Sequence, residues 1–171
     1  MRIDRVTSES FAGVRDFNVE FKDGVNIVYG KNEAGKSTLV NLISRTLFQN
    51  ARIDGRRDKS FRDSYFPTQR KGSAAAGDSI DGSVTISDGE DTYKLTKEWG
   101  ADPRCKLTTP DGTISGQDSV NDRLRELLQY GEGVYNELLL SSQHNTDAAL
   151  ETLMNAKDKS ATRQEIVDAV S

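Results

Sequence analysis

The 171-residue sequence is poor in the side chains that build many small active sites, with one cysteine and one histidine. A lone Cys105 excludes a disulfide framework and a cysteine-built zinc site within the chain. A lone His144 excludes a multi-histidine metal centre and two-histidine catalysis. No apolar run approaches the ~18 residues of a membrane span, and Met1-Arg2-Ile3-Asp4 opens no signal peptide. The expectation is a soluble, cytoplasmic protein with no membrane partner. An excess of cations is also lacking. Lys and Arg number 23 against 27 Asp and Glu, a net charge of −4, so only a local patch could hold a polyanion. Residues 54–79 contain no Val, Ile, Leu or Met. That stretch cannot supply aliphatic core and reads as a long surface excursion, pinned by Phe61, Tyr65 and Phe66.

What is present is enough for one domain, since a chain of this size buries roughly 70% of its unfolded surface. Phe17-Asn18-Val19-Glu20-Phe21 alternates, as a half-buried strand does, and Asp23-Gly24 is a turn signal. Val25-Asn26-Ile27-Val28-Tyr29 reads as a short buried strand running into Gly30. Leu39, Leu42, Ile43 and Leu47 form one apolar stripe of a helix over 36–49. Residues 80–116 read as antiparallel β, with Tyr93, Leu95 and Trp99 inward and Lys97 in water, and turns at Asp88-Gly89 and Asp111-Gly112. Ser119-x-x-Asp122 reads as a capping box opening a helix through Val120, Leu124, Leu127 and Leu128, broken by Gly131 and Gly133. Apolar and helical patterns follow over 134–140 and 147–155, and Thr162-x-x-Glu165 opens a last helix.

Gly30-Lys31-Asn32-Glu33-Ala34-Gly35-Lys36-Ser37 matches G-x-x-x-x-G-K-[ST] at every fixed position, between a strand pattern and an amphipathic helix. The two glycines are expected at positive φ, and successive N–H groups then form an anion nest at a positive helix N-terminus. Gly30, Asn32, Glu33, Ala34, Gly35, Lys36, Ser37 and Thr38 are the candidate nucleotide-binding residues. Lys36 reaches the β- and γ-phosphates in this reading, Ser37 ligates Mg²⁺ and Thr38 touches the α-phosphate.

Gly30–Leu39, together with Phe11, Val19-Glu20-Phe21 and Ile27-Val28-Tyr29, resembles the opening of SMC-like ABC-type ATPase heads. The SbcC-type double-strand-break-repair ATPases and the YhaN-like proteins belong to that group, and the Asn-Glu-Ala loop and Tyr65-Phe66-Pro67 are most similar to the YhaN-like branch. The resemblance implies an α/β P-loop NTPase, an N-terminal head lobe with an antiparallel β region. Residues 1–155 would form that lobe, with 54–79 the excursion and 80–116 the hairpins, and 156–171 would start a helix leading toward a coiled coil. It implies ATP and Mg²⁺ as cofactors and Gln143, after Leu138-Leu139-Leu140-Ser141-Ser142, as a Q-loop metal ligand. Two positions depart from the repair branch: Ala12-Gly13-Val14 replace its Arg-Ser-His, leaving Arg15 to take over part of that role, and His144 follows Gln143 where Gly is common.

Hydrolysis by such heads needs an apolar strand ending in Asp-Glu and a Leu-Ser-Gly-Gly-type signature, and the sequence holds neither. Ile114-Ser115-Gly116-Gln117 looks like the signature but precedes Gln143, so it reads as a loop. The implied function is the ATP/Mg-binding half of a head acting in DNA repair or chromosome maintenance. No residue of this chain is then assigned as catalytic. Its implied partners are the C-terminal half of the same parent protein, a second head in a head-to-head homodimer, DNA and a nuclease subunit. The rival readings are a complete small P-loop kinase and a non-hydrolysing nucleotide-gated interaction module. Arg45, Arg52, Arg56, Arg57, Lys59, Arg62, Arg70 and Lys71 make the excursion basic, and Asp78, Asp81, Asp88, Glu90 and Asp91 make the next hairpin acidic. The plain reading is a solvated loop pairing in part with that hairpin; the alternative is contact with DNA or nucleotide.

Overall fold

The computed structural model describes residues 1–31, 34–54, 56–66, 79–129, 133 and 135. The chain divides into two compact units, Met1–Asp122 and Arg123–Ser171.

The first unit is built on a six-stranded antiparallel sheet. Its strands are β1 (Arg2–Phe11), β2 (Val14–Glu20), β3 (Ile80–Asp88), β4 (Asp91–Trp99), β5 (Arg104–Thr109) and β6 (Gly112–Ser115), in the order β2-β1-β3-β4-β5-β6. One row fixes the register across every strand: Val19, Val6, Val84, Leu95, Leu107 and Ile114 are successive cross-strand partners. The four central members of that row are fully buried. A one-residue slip would turn the whole row to the other face, so this row specifies the pairing. Asp4 is the extra residue where the β1–β3 register shifts. Its carboxylate accepts from Arg2 Nε at 2.6 Å and from Ser87 Oγ at 3.0 Å, which ties the bulge to β3. Beyond the β1–β3 ladder, Asp81 accepts the N–H groups of Glu9 and Ser10, each at 2.9 Å.

Helix α1 (Lys36–Phe48) lies on the face that carries this row, mainly over β3. Leu39, Leu42, Ile43 and Leu47 are buried as the periodicity requires, while Val40 stays exposed. Gly82 sets the distance of approach. A Cβ there would meet Leu42 Cδ1 at 2.9 Å and Trp99 at 3.4 Å, and would collide with Thr46 Oγ1.

Helix α2 (Lys59–Tyr65) lies within the excursion, which is therefore partly helical. Its aromatics do pin it. Phe61 is buried 5.6 Å from the Trp99 ring, and Tyr65 stacks on Phe11 at 4.9 Å. Ala12 N–H donates to Tyr65 O at 3.0 Å, joining α2 to the β1–β2 turn.

Four expectations are corrected. Val25–Tyr29 is not a strand, and Val25, Ile27 and Tyr29 are 91%, 80% and 91% exposed. No described strand pairs with it, and an apolar run without sheet neighbours has nothing to bury it. Lys97 is not in water but fully buried, because positions 93, 95, 97 and 99 share one face of β4. Helix α3 (Gln117–Leu128) opens before Ser119, so Ser119-x-x-Asp122 is no capping box, and Ile114-Ser115-Gly116-Gln117 is a strand end and helix start rather than a loop. Gly116 N–H donates to Cys105 O at 3.1 Å, Gln117 Oε1 accepts from Ala51 N–H at 2.7 Å, and these two bonds fix the earlier start.

The boundary between the units falls inside α3. In the second unit Leu124 and Leu128 are buried, and Arg123 pairs with Glu126 at 2.7 Å. Gln129 stops the helix at φ 64, and the Tyr135 hydroxyl donates to Leu128 O at 3.2 Å. The patterns at 136–171, with Gln143, His144 and Thr162, lie outside the described residues.

Candidate phosphate-binding loop

The loop sits where the sequence motif placed it, at the N-terminus of α1. Gly35 is the N-cap, in the left-handed region at φ 82 and ψ 11. A residue with a Cβ is strained there, and glycine has no side chain with which to cap. Among the described residues no side chain caps the helix start, and its first turn holds no acidic residue. The N–H groups that a capping side chain would normally satisfy are therefore open to an anion, at the positive end of the helix dipole.

Gly30 is needed for a different reason than expected. Its φ is not in the left-handed region. A Cβ there would instead stand 3.2 Å from Ala34 Cβ, so the glycine permits a tight return of the loop. Ala34 N–H closes that return by donating to Lys31 O at 3.3 Å. Lys36 Nζ donates to Gly30 O at 2.8 Å and to Lys31 O at 2.7 Å. Among the described residues the ammonium is thus held across the mouth of the loop by two neutral carbonyls and by no carboxylate. Ser37 is exposed and Thr38 half-buried in the first turn. Asn32, Glu33 and Gln143 lie outside the described residues. Arg15 stands exposed in β2.

Sequence reasoning missed what supports the loop. β2 flanks it: a Cβ on Gly35 would lie 3.7 Å from Phe17 and 3.9 Å from Val14. The other end of α1 is clamped from β4. Lys97 Nζ donates to Leu47 O at 3.1 Å and Gln49 O at 2.8 Å, and Trp99 Nε1 donates to Asn50 O at 2.9 Å. A buried cation at the helix C-terminus answers the negative end of the dipole while the N-terminus is left for a phosphate. Period-two parity along β4 was the signal that could have found Lys97.

Cys105 pairs with Lys97 across β4 and β5. Burial pushes its thiol up, and the Lys97 charge offsets this in part. Among the described residues no group of His, Cys, Asp and Glu is arranged to hold a metal ion, and no helix is long and apolar enough to cross a membrane.

Comparison with known families matches residues 5–169 to the AAA domain. The chain belongs to the AAA domain family. This family implies a P-loop NTPase, here of mixed α/β structure with an antiparallel sheet. The AAA domain is also similar to a DNA double-strand break repair Rad50 ATPase from Sulfurisphaera tokodaii, with 25% identity over 165 residues. That alignment covers 93% of this chain and 18% of the relative. The chain thus spans about a fifth of the relative's length. Family and relative together support the resemblance to the N-terminal portion of an SMC/Rad50-like ATPase head.

Proposed function

We propose that this chain is the ATP- and Mg²⁺-binding first part of an SMC-like ATPase head that works in DNA repair or chromosome maintenance. The observation that carries the reading is the uncapped N-terminus of α1, with Gly35 in the left-handed region and Lys36 parked on two loop carbonyls. That arrangement fits a triphosphate. The open N–H groups would hold phosphate oxygens, and Lys36 would leave the carbonyls of Gly30 and Lys31 for the β- and γ-phosphates. The exposed Ser37 hydroxyl suits Mg²⁺, and Gln143 is its proposed second ligand. Magnesium would draw charge from the phosphates when bound.

The chain holds ATP in this reading without the means to hydrolyse it, because no apolar strand ends in Asp-Glu and no signature motif follows. Both would come from a C-terminal half of the same parent and from a second head. Residues 25–29 support that incompleteness, since an exposed Val-x-Ile-Val-Tyr run next to a phosphate loop suits a strand awaiting neighbours. Residues 1–155 would be the lobe and 156–171 the approach to a coiled coil, in a cytoplasmic protein with a nuclease subunit as a further candidate partner.

Titration calorimetry with ATP and Mg²⁺ tests the phosphate loop. Lys36→Ala keeps the fold, because this side chain supports only loop carbonyls, and lowers affinity by about 10-fold or more, at least ~1.4 kcal/mol. Equal affinities would sink the assignment.

A further inference from the structure

Among the described residues, helix α1 is held mainly from the end that lies away from the phosphate loop. Of its first five residues, Lys36 to Val40, only Leu39 is buried, whereas Leu42, Ile43, Ser44, Thr46 and Leu47 all are. The closest packing is at that end too. A Cβ on Gly82 of β3 would stand 2.9 Å from Leu42 Cδ1 and collide with Thr46 Oγ1. Support at the leading turn is lighter. Even a Cβ added to Gly35 would stay 3.7 Å from Phe17 of β2, an ordinary contact.

Polar bonds fix the buried end as well as packing does. Lys97 Nζ donates to Leu47 O, in the last turn, and to Gln49 O, beyond it, at 3.1 and 2.8 Å. Trp99 Nε1 donates to Asn50 O at 2.9 Å. Both side chains are fully buried, and positions 97 and 99 share one face of β4. Apolar burial has no direction, so by itself it sets the tilt of a helix only loosely. Hydrogen bonds to particular carbonyls are directional, and Lys97 supplies two of these three.

The consequence lies at the other end of the helix. Thirteen residues make a helix about 20 Å long. A tilt of about 3° at the seated end therefore moves the first turn by about 1 Å. The open N–H groups there act on an anion by hydrogen bonding. Stretched by about 1 Å, an N–H···O bond of about 2.9 Å is no longer a hydrogen bond.

We infer that Lys97 is a positioning residue for the phosphate loop: from β4 it sets where the open N-terminus of α1 lies, without touching the bound group. That the group is a triphosphate rests on the function proposed above; the seating of α1 rests on the hydrogen bonds and burial alone.

The test uses two readouts on the 171-residue chain, at a temperature where each variant is fully folded. Lys97→Met keeps an unbranched apolar stem and removes both donated bonds. Amide nitrogen–proton spectra without nucleotide should show the Gly35, Lys36 and Ser37 resonances displaced. Calorimetry with ATP and Mg²⁺ should show affinity lower by about 5-fold or more. Trp99→Phe removes one donor and keeps an aromatic ring. It should displace the same resonances less, and it decides the matter if Lys97→Met does not fold. Leu107→Ala is the control for lost stability, being buried in β5, two strands from the β3 over which α1 mainly lies. It should leave both readouts near those of the parent. Unmoved loop amides overturn the proposal, as does an unchanged affinity in a chain that binds ATP, or an equal displacement by Leu107→Ala. If the unmodified chain binds no ATP, or Lys36→Ala leaves its affinity unchanged, the proposed function falls, and the amide displacements still decide the seating of α1.

Discussion

Lys97 clamps the C-terminal end of α1. Its ammonium is buried and is bonded to Leu47 O and Gln49 O. Lys97→Ala would leave a cavity and two carbonyls short of a donor, so it should cost at least about 2 kcal/mol. Urea denaturation measures this, and an unchanged midpoint would contradict the clamp. Asp4 gives a pH signature. Burial pushes its carboxyl up, but hydrogen bonds from Arg2 and Ser87 and the Arg2 charge together outweigh this and bring it below its ordinary 3.8. The folded chain therefore keeps Asp4 ionised where the unfolded chain has begun to bind a proton. Its contribution is present above the unfolded value and is lost as pH falls through the lower folded one. Asp4→Asn should flatten the loss of stability between pH ~5 and ~3; a profile as steep as the parent's would remove Asp4 from the account. At this scale the sequence was legible where a motif fixes a backbone conformation, as at Gly35 with its positive φ. It was illegible where a charge is buried by parity, because Lys97 looks like surface until its strand neighbours are counted in steps of two.

The elements themselves were mostly legible. The stripe of α1, the alternation of β2 and the turns at Asp88-Gly89 and Asp111-Gly112 each follow from local pattern. The seven residues of α2 did not, because two aromatics and no aliphatics make no helical stripe; ring packing on Phe11 and Trp99 holds them. The start of α3 is likewise set from outside, by Ala51 N–H on Gln117. Gly82 shows how closely α1 and β3 approach. Gly82→Ala should destabilise by about 1–3 kcal/mol through overpacking. Thr46→Ala, which removes the oxygen that the new methyl would strike, should recover part of that loss in the double variant. Thermal melts of the two single variants and the double variant check this, and strict additivity would contradict direct contact.

For the whole molecule, the candidate site is half legible. The phosphate-loop motif announces itself, whereas the Asp-Glu strand and signature motif that the proposed function calls for are ones this sequence does not hold. The strand expected at 25–29 has no described strand beside it. Its Val, Ile and Tyr encode burial, and the described sheet already ends at β2 and β6 without it. A binding loop that holds ATP in its ground state accelerates nothing unless groups are placed for the transition state. The central claim is therefore that ATP turnover requires a second segment. The direct measurement is steady-state ATP hydrolysis by the purified 171-residue chain, alone and co-expressed with a segment that carries an Asp-Glu strand and signature motif. The account predicts no Lys36-dependent turnover from the chain alone and its appearance with the second segment. Robust Lys36-dependent turnover by the chain alone would contradict it.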